Sequence, residues 1–178
     1  MSSPPLSLTI RPPTPAEVPE VRAFLQGEVR VLFPDLPGLD QRPDLLSLEE
    51  TYLWGHRAAL LAAFGERGEV IGSITLRPYD DRLAAVRGHY DLERTAEVGR
   101  CYVAAARRGL GVGQALMRVL VAEARQAGYT TLCLHTHRHL PGGFAFWSRQ
   151  GFAVRAEDQP DPARGVMGTV YMDRPTDA

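Results

Sequence analysis

The chain has 178 residues, is 44% hydrophobic and 23% charged, and carries a formal net charge of -1. That length and apolar content suffice for one globular domain with its own core, here the whole of 1–178. The near-neutral balance excludes the broad basic field through which proteins bind nucleic acid or anionic membrane non-specifically.

Two cysteines, Cys101 and Cys133, are too few and too far apart for a disulfide framework or a zinc knuckle, and they read as small buried hydrophobes on strands. No segment approaches the roughly 18 apolar residues of a membrane span, and MSSPPLSLTIRPP has no charged leader ahead of an apolar run, so a cytoplasmic protein is expected. Residues 1–5 and 174–178 are expected to be flexible tails.

LSLTIR at Leu6 to Arg11 alternates as a first strand. Thr14-Pro15-Ala16-Glu17 then carries the cap, the first-turn proline and the N3 glutamate of a helix that runs to about Val31. Ser47-Leu48-Glu49-Glu50 opens a second short helical segment ending near Gly55. Arg57 to Phe64 and Val70 to Arg77 are apolar runs joined by GERGE, which predicts an antiparallel hairpin. After a polar stretch from Pro78 to Thr95, Glu97 to Val103 reads as a central strand, and the apolar spacing from Val112 predicts a helix capped by Gly128. Thr130 to Leu134 is a further strand, Gly142 to Gln150 a short helix, and Phe152 to Ala156 and Val166 to Met172 are closing strands. The order is mixed α/β, with antiparallel strands first and one strand-helix-strand unit in the middle.

The chemistry-bearing segment lies between that central strand and its helix. Arg108-Gly109-Leu110-Gly111-Val112-Gly113-Gln114 sets three alternating glycines at a helix start. Amides there have no intrahelical partner and lie at the positive end of the macrodipole, so residues lacking Cβ let a phosphate come close. Two familiar phosphate loops fail. A P-loop needs Gly-Lys-Ser/Thr and the chain has no lysine. The dinucleotide fingerprint needs G-x-G-x-x-G, and no acidic residue ends the next strand, where Leu132 to His135 stand. The remaining alternative is that the glycines only permit close helix-strand packing.

Arg108-x-x-Gly111-x-Gly113, with Val103 five residues before Arg108 and Leu116 after, resembles the Q/R-x-x-G-x-G/A motif of the GNAT acetyltransferases. Gly142 to Phe152, a short helix ending in Gly-Phe, is similar to that family's second conserved block. The resemblance implies a V-shaped, mostly antiparallel seven-stranded sheet flanked by about four helices. It also implies acetyl-CoA as co-substrate. The backbone of Cys101, Tyr102 and Val103 would pair with the pantetheine arm, and amides of Gly109, Leu110, Gly111, Val112, Gly113 and Gln114 would hold the pyrophosphate. Arg108 would assist at the phosphates, and the Val103 amide would stabilise the oxyanion that develops when an amine attacks.

An alkylamine is mostly protonated at neutral pH, so a base is required. Glu97, four residues before Cys101, matches the catalytic glutamate of the histone-acetylating branch of the resembled family, and His135 is the alternative base. The tyrosine that many members use to protonate the leaving thiolate is replaced by Trp147, which packs against pantetheine or simply fills the core. Tyr90, Tyr102, Tyr171 or solvent would then donate the proton. His135, His137 and His139 alternate, but the following Leu-Pro-Gly-Gly signals that the strand has ended. With no paired carboxylate or cysteine to complete a site, no metal is expected. The resulting expectation is transfer to a small-molecule or peptide amine, with no nucleic-acid or membrane partner and with the homodimer common among look-alikes. A non-catalytic acyl-CoA sensor or interaction module is the alternative.

Overall fold

The computed structural model describes residues 8–161 and 168–177. Seven strands, β1 (Thr9–Arg11), β2 (Ala59–Phe64), β3 (Val70–Pro78), β4 (Thr95–Val103), β5 (Thr131–His137), β6 (Ala153–Glu157) and β7 (Thr169–Pro175), form one sheet in the order β1-β2-β3-β4-β5-β7-β6. The pairs β1–β2, β2–β3, β5–β7 and β6–β7 are antiparallel, and β4–β5 is parallel. Four α-helices accompany them among the described residues: α1 (Val18–Leu32), α2 (Pro43–Leu46), α3 (Val112–Gln126) and α4 (Gly143–Arg149). The mixed α/β class and the seven-stranded sheet match the expectation. No helix among the described residues is long and apolar enough to cross a membrane.

The chain divides into two compact units, Met1–Leu76 with Arg100–Leu120 and Arg77–Gly99 with Val121–Ala178. In the first, α1 turns Val18, Val21, Leu25 and Val29 inward at helical spacing against Leu45, Leu48, Tyr52 and the β2 residues Leu60, Ala62 and Phe64. The expected helix start at Thr14 is a turn instead. The Thr14 amide and hydroxyl donate to the Glu17 carboxylate at 2.7 and 2.9 Å, and α1 begins one residue later. The hydrogen bond from Arg11, joined by that from the Thr14 amide, holds this carboxyl down at about 2. The second predicted helical segment, from Ser47 to near Gly55, is present as Glu49–Leu53, and a short helix that the sequence reading did not predict precedes it. Pro43 opens α2, and Glu49–Leu53 forms a separate wide turn in which the Trp54 amide reaches back to the Glu49 carbonyl at 2.8 Å.

In the second unit, Tyr79, Val86, Cys133 and Tyr171 form a core flanked by Leu83, Tyr90 and Ala156. Here β5 runs to His137, past the predicted end, because β7 pairs with it through His135↔Tyr171 and His137↔Thr169. The expected tail from residue 174 is also structure as far as Thr176: Arg174 and Pro175 complete β7, and the buried Thr176 hydroxyl donates to the Tyr129 carbonyl at 3.1 Å. The other expected tail at 1–5, the first residues of the predicted opening strand, and Val166 and Met167 of the predicted closing strand lie outside the described residues.

Gly128 ends α3 in the left-handed region at φ 83°, its amide bonded to the Arg125 carbonyl at 3.0 Å. A Cβ there strains the cap, so Gly128→Ala should lower stability by about 1 kcal/mol in urea unfolding, with an unchanged m-value.

Candidate functional site

The connection from β4 to α3 is a tight sequence of fixed points. The Ala104 amide closes on the Ile71 carbonyl at 2.9 Å, one 3₁₀ turn spans Ala105–Arg107, and the chain then passes through Gly109 at φ 77° and Gly111 at φ 84°. The first bond of α3 runs from the Ala115 amide to the Gly111 carbonyl at 2.9 Å. The amides of Val112, Gly113 and Gln114 therefore belong to the first turn, where no intrahelical acceptor exists and the positive end of the macrodipole adds to their pull on an anion.

An ideal Cβ on Gly109 or Gly111 would meet no heavy atom within 4 Å. Nothing in the protein itself crowds these two positions, so packing does not explain them. The crowding falls on Gly72 of β3, which the sequence reading did not single out. A Cβ there would lie 3.1 to 3.2 Å from Leu116 Cδ1, the Tyr102 carbonyl oxygen and Val112 Cγ1. Gly72 thus lets the first turn of α3 sit against the strand, while Gly109 and Gly111 supply backbone conformation and an open approach. The donor set suits the pyrophosphate that the sequence led us to expect.

The second half of β4 differs from the first. The parallel register with β5 covers Thr95 to Glu97, and residues Gly99 to Val103, including Cys101 and Tyr102, are half-buried. Arg108 turns back on this strand. Its Nε donates to the Val103 carbonyl at 2.9 Å, and its Nη2 meets Glu28 of α1 at 2.8 Å. The exposed apolar side chain of the turn is Leu110.

Glu97 is a buried and heavily engaged carboxylate. Its side chain is 5% exposed and sits beside Arg77 Nη2 at 2.9 Å, Arg82 Nη2 at 2.5 Å and His135 Nδ1 at 3.4 Å. Burial alone would raise its pKa. The His135 contact and the two guanidinium groups outweigh that and hold the carboxyl well below the ordinary carboxylate range. The structure thus brings Glu97 and His135 together and adds Arg77 and Arg82. The loop arginine was legible only as one of several polar groups between Pro78 and Thr95, and no local signal marked Arg77.

His137, at the end of β5, has its Nδ1 3.2 Å from the Gly168 carbonyl, and burial lowers its pKa. The His137 and His139 rings stack at 5.5 Å. Trp147 is buried edge-on against Phe146 and Phe152, at centroid distances of 4.9 and 5.3 Å. Of the proposed acids, Tyr171 donates to Asp158 at 2.6 Å and is pushed up to about 12 by burial and that bond. Burial likewise raises Tyr90 and Tyr102.

The model of the acetyltransferase (GNAT) family matches residues 27–152. In sequence the chain is similar to N-acetyltransferase 8F1 of Rattus norvegicus, at 26% identity over 111 residues that make up 62% of this chain and 46% of that protein. The chain therefore spans about half the length of the curated relative it matches. In structure it is similar to a GNAT-family acetyltransferase from Staphylococcus aureus MU50, with a TM-score of 0.76 and 16% identity over 96% of this chain and 99% of that one. It is also similar to the PaiA N-acetyltransferase of Thermoplasma acidophilum in complex with coenzyme A, with a TM-score of 0.71 and 17% identity over 95% and 99%. At such identities the structures speak for the fold alone. The family match takes in β4, the glycine turn, α3 and the Gly151-Phe152 pair, and with it the chain belongs to the acetyltransferase (GNAT) family.

Proposed function

We propose that the protein passes the acetyl group of acetyl-CoA directly to a primary amine of a small molecule or peptide, in a ternary complex. The observation that carries this reading is the glycine turn, whose open, left-handed Gly109 and Gly111 lead into the first-turn amides of α3, which have no intrahelical acceptor. Backbone amides from Gly109 to Gln114 hold the pyrophosphate, and Arg108 adds its charge beside them. The main chain of Cys101 to Val103 pairs with the pantetheine arm, and the Val103 amide donates to the thioester oxygen as negative charge grows there. Bound acetyl-CoA supplies the electrophilic carbonyl carbon.

Direct transfer is supported by the state of the thiols. Desolvation pushes Cys101 up to about 12 and also raises Cys133, so neither offers a thiolate to carry the acetyl group at neutral pH. For the base we favour His135, held by Glu97, over Glu97 itself. A carboxylate already taken by two guanidinium groups is a weak proton acceptor, whereas the His135 side chain is 39% exposed and can reach solvent. We assign protonation of the leaving thiolate to solvent, because all three candidate phenols are raised above their usual value.

Calorimetric titration with acetyl-CoA, with NAD and ATP as controls, tests the reading. Binding of acetyl-CoA alone is expected, followed by CoA release when a panel of primary amines is added. Equal binding of NAD would overturn the cofactor assignment, and binding without release from any amine would favour an acyl-CoA-binding module.

A further inference from the structure

Arg100 stands in the middle of β4 at φ 46°, a left-handed conformation that non-glycine residues seldom adopt and that strands do not use. Four groups hold it there. Asp44 of α2 grips the guanidinium bidentately, with Nε to Oδ2 at 2.8 Å and Nη2 to Oδ1 at 2.7 Å. The Tyr52 hydroxyl donates to the same Oδ2 at 3.0 Å, and the Tyr102 phenol lies beside the same guanidinium. The Arg100 carbonyl accepts a hydrogen bond from the buried Ser73 hydroxyl at 2.9 Å. Arg42 Nε stands off at 4.0 Å from the other Asp44 oxygen.

The ion pair is largely shielded, with the Arg100 and Asp44 side chains 16% and 20% exposed, so it is screened far less than a surface pair. It is also placed with consequence. The left-handed residue comes immediately before Cys101, and the Ala104 amide fixes the chain again on Ile71. The three residues between these anchors, Cys101 to Val103, are the half-buried stretch assigned above to pantetheine pairing. Their amides and carbonyls point where the bend at Arg100 sends them.

We propose that Asp44 and Arg100 are positioning residues for the cofactor: the ion pair from α2 holds the bend in β4 that aims the Cys101 to Val103 main chain at the pantetheine arm. The inference rests on the acetyl-CoA reading and deepens it. It makes α2 and the Glu49–Leu53 turn, which supplies Tyr52, part of the cofactor-binding machinery although neither touches the glycine turn in sequence. A residue with no Cβ takes the same φ unaided, so glycine at position 100 replaces the clamp.

The test compares acetyl-CoA with adenosine 3'-phosphate 5'-diphosphate, which keeps the pyrophosphate and lacks pantetheine. Asp44→Asn should weaken acetyl-CoA binding about tenfold, the scale of one lost charge-assisted interaction, while the pantetheine-free probe stays within about twofold. Adding Arg100→Gly to Asp44→Asn should bring acetyl-CoA binding back to within about threefold of the unsubstituted protein, because the bend no longer needs a clamp. Equal weakening of both probes, or no recovery in the double variant, overturns the proposal. Should Asp44→Asn fail to fold, Arg100→Val and Arg100→Gly give the same contrast, since both delete the guanidinium and only valine resists a positive φ. Indistinguishable acetyl-CoA affinities for that pair overturn it equally. Gly111→Asp separates the two levels. If that variant keeps full acetyl-CoA affinity, the cofactor reading falls and takes this inference with it. If it loses binding while Asp44→Asn binds normally, the positioning role alone is refuted.

Discussion

Replacing Gly111 by aspartate should weaken acetyl-CoA binding by at least about a hundredfold while leaving the protein folded. The two halves of that expectation have separate causes. A Cβ at this position meets no heavy atom within 4 Å, so the new side chain starts in open space, and the cost to the fold is the left-handed φ of 84°. Aspartate tolerates that region better than most residues, and its charge at the start of α3 is favoured by the macrodipole, so the net change in stability should stay within about 1 kcal/mol. For a pyrophosphate the same charge is repulsive. One like-charged pair at about 4 Å in an effective dielectric near 20 amounts to about 4 kcal/mol, more than two powers of ten before salt screening. Gly111→Ala is the companion, adding the backbone strain without the charge, and should cost less than about tenfold. Titration of both variants with acetyl-CoA decides the matter: similar losses would mean that backbone geometry, not phosphate binding, is what the glycine serves.

The features legible in the sequence are those whose causes lie within about ten residues. The glycine turn, the Val112 helix start and the β2–β3 hairpin each need particular residues at neighbouring positions, and all three stand where expected. Distance along the chain hid the rest. Glu97 draws Arg77 from 20 residues away and His135 from a neighbouring strand, and no local pattern announces that a strand-end carboxylate will be buried under guanidinium groups. The end of β5 was misjudged for a related reason. Leu-Pro-Gly-Gly is a sound stop signal, but pairing with β7 through His137↔Thr169 carries the strand to its edge. The Asp44–Arg100 pair spans 56 residues, and nothing in TAEVGRCYV shows that its arginine leaves the extended region. Gly72 reads as an ordinary strand glycine until the side chains of α3 are set against it.

Glu97→Gln should destabilise the protein by about 2 to 3 kcal/mol at neutral pH, and this deficit should shrink in acid. The amide keeps the shape and loses the charge that Arg77, Arg82 and His135 face. A fully buried pair would lose more, but the two arginines are 28% and 33% exposed and regain water, which discounts the cost. The sign of the pH dependence follows from the lowered carboxyl. Because the folded state binds the proton less readily than the unfolded chain, the Glu97 contribution is complete above the ordinary value of 4.5 and is lost as the pH falls below it toward the folded value. Urea unfolding from pH 7 down to the acid limit should therefore show the two proteins converging below about 4.5. A gap that stayed constant through that range would mean that the carboxylate charge contributes nothing to the network. The same variant bears on catalysis. If His135 is the base and Glu97 its anchor, His135→Gln should reduce turnover by about 10² to 10⁴ and Glu97→Gln by distinctly less. The reverse order, with Glu97→Gln the more damaging, would return the proton-accepting role to the carboxylate despite its four bonds to arginine.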